Sequence, residues 1–148
     1  MTNRSPAAKR RKVIAQPRRY LLEISERQAQ LVNLAVELFA RLGMGQFDML
    51  DSFFPWESKI PGRERIRPLL QELVAIKNGA QHTYPGVHSK EISDDYRVLY
   101  DLHKVIRHRL AWYRDPNPSG WKGVNYDEPS RASTTEDLAR INRVEAKK

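Results

Sequence analysis

The sequence predicts a mainly α-helical fold of α+β type: a compact four-helix core, a small two-stranded antiparallel β pairing and a disordered basic N-terminal arm. Three observations predict it. The first nineteen positions hold Arg4, Lys9, Arg10, Arg11, Lys12, Arg18 and Arg19 and no acid. Four helical segments follow, at 26–42, 46–54, 63–77 and 94–113. Two short alternating segments, 20–24 and 121–126, read as strands.

The arm, residues 1–19, combines charge with Pro6 and Pro17 and few large apolar groups, the composition of a chain that orders only on binding. Extended, it reaches roughly 60 Å at about 3.3 Å per residue. Residues 20–148 form a single helical domain large enough for one modest core.

In residues 20–24, Tyr20, Leu22 and Ile24 alternate with Leu21 and Glu23. Ser25 then opens the first helix, with Gln28 placed for a capping box. Glu26, Gln30, Asn33, Glu37 and Arg41 step by three or four and make one polar stripe. The rest of that helix is apolar, so it is expected near the centre of the fold. Gly43 stands where a left-handed cap belongs. Residues 46–54 read as a short helix ended by Pro55, and 56–62 as a loop. The third helix puts Ile66, Leu69, Leu70, Leu73 and Ile76 on one face. Pro68 places its start near 67 or bends it there.

Residues 79–92 read as a loop. Ser93 caps the long helix 94–113, and Asp94 and Asp95 suit its dipole. Val98, Leu99, Leu102, Val105, Ile106, Leu110 and Tyr113 make its buried stripe. Residues 115–120 are a turn segment. The strand at 121–126 is expected to pair with 20–24 on the helical core, since two strands alone are marginal. A peripheral C-terminal helix is expected at 134–146, capped by Ser133 or Thr134.

Charge is segregated. Seven of the formal +8 lie in the arm, while residues 20–148 hold 19 basic and 18 acidic residues. A cationic arm on a near-neutral body fits a polyanion such as DNA or RNA. A solubilising tail, or an arm that binds acidic protein, is the alternative. Residues 6–13 would also read as a nuclear-import signal in a eukaryotic cell. No apolar run approaches the roughly 18 residues of a membrane span, so no membrane partner is expected. No cysteine is present, which removes thiol chemistry and fits a reducing cytoplasm.

Arg107, Arg109 and Arg114, at the C-terminal part of the long helix, are expected to add phosphate contacts to those of the arm. Tyr96, Tyr100, His103 and Arg107 step by four, three and four and line one side of that helix. Aromatics beside a cation there could stack a base or nucleotide; a core boundary is the plainer reading. Arg97 and His103 match the spacing of HEPN ribonucleases, a spacing that chance supplies in a chain with seventeen arginines and four histidines. His103 and His108 diverge by about 140° round the helix, and no His-x-x-x-His or His–Glu pair shares a helical face. No phosphate loop or nucleophile elbow occurs. Hence no catalytic residue, metal or cofactor is expected. Trp56, Trp112 and Trp121 sit near element ends, as core lids or interface anchors.

The segments Met44-Gly45-Gln46, 86–89, 105–112 and Asp127-Glu128-Pro129, with the helix from Glu26, resemble a group of uncharacterised short proteins of tailed bacteriophages and prophages. The resemblance covers roughly 20–142 and excludes the arm. It implies a phage accessory protein in a bacterial cytoplasm and carries no functional residue with it. The function expected is non-enzymatic nucleic-acid binding through the arm. The alternatives are an inhibitor that docks on a host or phage protein, such as a defence factor, and a sponge for a signalling nucleotide.

Overall fold

A computed structural model of the chain describes residues 19–53, 63–79, 84–120 and 122–143. Four α-helices follow in chain order: α1 (Glu26–Gly43), α2 (Leu50–Phe53), α3 (Ile66–Asn78) and α4 (Asp94–Arg114). Short 3-10 turns span Phe47–Met49, Arg63–Arg65 and Val124–Tyr126. Of the arm, only Arg19 is described, and it is exposed. Arg4, Lys9, Arg10, Arg11, Lys12 and Arg18 lie outside the described residues, as do Trp56 and Trp121.

α1 begins where its cap dictates. The Ser25 hydroxyl accepts from the Gln28 amide at 3.2 Å, and the Gln28 side chain accepts from the Ser25 amide at 2.8 Å. Such a box satisfies two orphan amides and contributes about 1 kcal/mol. The helix ends one residue later than the glycine rule suggests. Gly43 is its last residue, Met44 caps it, and Gly45 takes the left-handed backbone at φ 80°. Gly43 is required for a different reason: a β-carbon there would overlap the ring of Tyr96 on α4.

α1 and α4 pack together and form the main pairing of the fold. The orientation of α1 overturns its expected central place. Its polar stripe turns inward, so that Asn33 and Glu37 meet His103 and Glu26 meets Arg114. Its apolar stripe turns outward, leaving Leu31 at 48%, Leu34 at 46% and Phe39 at 59% exposure. The facing side of α4 supplies the reason, since it carries the imidazole and guanidinium groups that the polar stripe can satisfy.

Among the described residues the buried apolar core holds Ala40, Met44, Leu70, Val74, Ile92, Val105, Ile106 and Ala132. α3 packs on the Phe47–Met49 turn. It is held there by Arg67 on Asp51 at 2.8 Å and by the Asn78 amide donating to the Gly45 carbonyl at 3.3 Å. Pro68 falls in the first turn of α3, where an amide has no intrahelical partner to lose. The helix expected over 46–54 resolves into the Phe47–Met49 turn followed by α2; Phe54 lies outside the described residues. At α4 the Ser93 side chain makes no capping bond, and the acids Asp94 and Asp95 occupy the first turn.

The expected β pairing is absent: no strand occurs among the described residues. Residues 20–24 have no regular secondary structure and make no backbone hydrogen bond to any described residue. The intended partner is broken by Gly123 at φ 69° and then coils into the Val124–Tyr126 turn, which brings Tyr126 edge-on to Trp112 at 5.2 Å. The C-terminal helix is also absent over the described part, 134–143. Its hydroxyls and amides are engaged by α4 instead, and a ten-residue segment with few apolar groups has too little to hold a helix alone.

Candidate functional site

α4 presents two worked faces. The first faces α1. His103 is 2% exposed, with Nδ1 3.1 Å from Asn33 Oδ1 and 3.6 Å from Glu37 Oε2. Asn33 Oδ1 is an acceptor, so the ring proton is assigned to Nδ1. Glu37 also accepts from Arg41 Nε at 2.8 Å, and Arg41 donates onward to Gln46 at 2.9 Å. His103 Nε2 and Arg107 Nε are buried and find no partner among the described residues. Burial first, then the nearby Arg107 and Arg41, hold the His103 imidazole below its ordinary pKa, against the pull of Glu37. That balance favours the neutral imidazole.

Tyr96, Tyr100, His103 and Arg107 do share a side, as their spacing requires, but that side is the packed one. Tyr96 lies against Phe39 at 6.0 Å and against Gly43, and Tyr100 against His103 at 6.0 Å. Arg107 is half-buried. A nucleotide would have to part α1 from α4 to reach the His103 ring.

Arg97 and His103 do not converge. Six residues separate them by about 120° round the helix. Arg97 donates to the carbonyls of Val87 at 3.0 Å and Ser89 at 2.7 Å, clipping the preceding loop to α4. No group of three or more metal-ligating side chains converges among the described residues. Of the three helix arginines, Arg109 is exposed, Arg107 is half-buried, and Arg114 is paired to Glu26 at 2.9 Å. That pairing lowers the Glu26 carboxyl pKa.

The second face was missed by sequence reasoning. It holds a non-helical C-terminal strap, 126–135, which runs antiparallel to α4. The Asp101 carboxylate accepts from the amides of Ala132 at 2.8 Å and Ser133 at 2.8 Å. Lys104 bridges Asp101 at 3.0 Å and the Ser130 carbonyl. His108 Nδ1 meets the Asp127 carbonyl at 3.0 Å, with Trp112 on Tyr126 at the far end. Asp94 collects the Ser133 hydroxyl at 2.8 Å, the Thr134 amide at 2.8 Å and hydroxyl at 2.9 Å, and the Thr135 amide and hydroxyl. These donors, the Thr135 hydroxyl foremost, hold the Asp94 carboxyl far below the usual carboxylate range. One signal was available: Asp94, Asp101 and His108 step by seven, so they lie on one side of a helix.

No helix among the described residues is long and apolar enough to cross a membrane. Comparison with protein-family models, with curated proteins and with solved structures finds no match to this chain.

Proposed function

We propose that this chain is a non-enzymatic phage accessory protein that binds DNA or RNA in a bacterial cytoplasm through its basic leader. The observation that carries the reading is charge segregation: seven cations and no acid in nineteen residues, on a body of net charge +1. Guanidinium and ammonium groups on an extended segment neutralise phosphates and release counterions. The engagement of Arg114 by Glu26 and the half-burial of Arg107 support giving the leader the larger share and Arg109 a subsidiary one. The packing of Tyr96 and His103 on α1 speaks against a nucleotide sponge.

The test is a salt titration of affinity for a short duplex. If all seven leader charges engage B-DNA, log K falls against log salt with a slope near −6. A slope flatter than about −2 would exclude the leader as the main contact.

A second reading is favoured by α3, where Leu69 is 52%, Leu73 43% and Ile76 73% exposed. These residues share one face of the helix, the pattern of an amphipathic helix read by a protein groove. In this reading the chain occludes a host or phage protein through α3. Affinity that survives 0.5 M salt and falls on Ile76→Lys would select it.

A further inference from the structure

Residues 20–24 are the most exposed apolar segment described. Tyr20 is 89%, Leu21 96% and Leu22 71% exposed, and their backbone is unpaired among the described residues. An exposed apolar segment whose amides and carbonyls have no partner among the described residues can pair as a strand with another chain. It leads directly into α1, whose outward stripe of Leu31, Leu34 and Phe39 is also uncovered.

We infer that both surfaces are covered by a second copy of this chain, in an antiparallel pairing of 19–23 with itself about a twofold axis. The sequence fits itself in that register. Centred on Leu21, the pairing sets Arg19 opposite Glu23 of the second copy, and Glu23 opposite its Arg19. Tyr20 falls opposite Leu22, and Leu21 opposite Leu21. Side chains alternate across a strand, so Tyr20 and Leu22 of both copies form one wholly apolar face. The opposite face carries Leu21 at its centre with an ion pair at each end. Cross-strand pairs of these types stabilise a ribbon, whereas like charges in those places would break it.

A two-stranded ribbon is marginal unless it lies on something. The outward stripes of the two α1 helices supply that support, because the ribbon face formed by Tyr20 and Leu22 needs apolar cover. At the exposures given, Tyr20, Leu21, Leu22, Leu31, Leu34 and Phe39 offer on the order of 800 Å² per copy, one partner's share of a standard-size interface. A twofold contact uses the same patch on both copies, so it closes at a dimer. The inference does not depend on the nucleic-acid reading, although a dimer would bring two leaders to one ligand.

The test is sedimentation equilibrium of the full chain, treated with nuclease and measured in 0.5 M salt from 1 to 100 µM, each figure here being about the scale such interfaces require. The expected result is a dimer of twice 17.3 kDa. Leu21→Lys sets two ammonium groups against each other at the axis and weakens the dimer at least tenfold. Arg19→Glu and Glu23→Arg each weaken it about fivefold, and the double variant restores it. These positions are exposed in the single chain, so far-UV circular dichroism at the lowest concentration is unchanged. A monomer throughout the range overturns the inference. So does a dimer that Leu21→Lys and the charge exchanges leave unmoved.

Discussion

A β-carbon at Gly43 would overlap the ring of Tyr96, because that ring rests on the α1 backbone. In a free helix Gly→Ala stabilises by roughly 1 kcal/mol. Here Gly43→Ala is expected to destabilise by about 1–3 kcal/mol, the cost of overpacking, in chemical denaturation. A gain in stability would mean that the ring does not sit there. His103 makes a second residue-scale prediction. Its folded pKa lies below its unfolded value, so the unfolded chain binds the extra proton. Stability is full above the ordinary value of 6.5 and falls as pH drops through it toward the lowered folded value. Burial sets that direction first, Arg107 and Arg41 add to it, and Glu37 opposes it. Melting temperature should decline between pH 7.5 and 5, and His103→Gln should flatten the decline; equal slopes in both proteins would contradict the assignment.

At the scale of elements, α4 is held on one side by a helix and on the other by a strap with no regular structure. Asp101 is the keystone of the strap, since it satisfies two buried amides and Lys104 together. Asp101→Ala should cost about 3–5 kcal/mol, because it strands buried donors and an unpaired ammonium group. Asp101→Asn, which keeps one acceptor, should cost less. Amide exchange at Ala132 and Ser133 reads the effect directly, and protection unchanged in Asp101→Ala would refute the contact. The lowered Asp94 carboxyl adds that its clasp on Thr134 and Thr135 is present above the ordinary value of 3.8 and is lost only under stronger acid.

The helices were legible because their signals are local. The Ser25–Gln28 box, the position of Pro68 and the stripe of α4 each act within one or two turns. The strap and the failed strand were not, because their causes are distant. Gly123 breaks an alternation that looks regular residue by residue, and Ser133 and Thr134 read as caps until Asp94 claims them. The candidate ligand side was half legible. Spacing put Tyr96, Tyr100, His103 and Arg107 on one side of α4, but periodicity cannot say which side meets α1. An ordinary amphipathic rule gives the wrong answer there, since α1 buries Asn33 and Glu37 and exposes Leu31 and Leu34.

For the whole molecule, the governing quantity is where charge sits. Nineteen cations and eighteen acids nearly cancel over residues 20–148, and several of those cations are engaged within the chain: Arg97 on the 87–89 loop, Lys104 on the strap, Arg114 on Glu26. Salt bridges of the exposed kind contribute little to stability, but they do remove arginines from the pool available to phosphate. The leader contains no acid of its own. In the proposed reading the body supplies shape and an apolar surface, and the leader supplies attraction.

The most direct measurement compares the intact chain with a full-length variant in which Arg4, Lys9, Arg10, Arg11, Lys12 and Arg18 are replaced by Gln. Affinity for a short duplex is read at about 50 and 200 mM salt. The intact chain should lose roughly three to four powers of ten between the two, and the variant should bind weakly at both with almost no salt dependence. Equal affinity and equal salt response in the two proteins would contradict the assignment of binding to the leader.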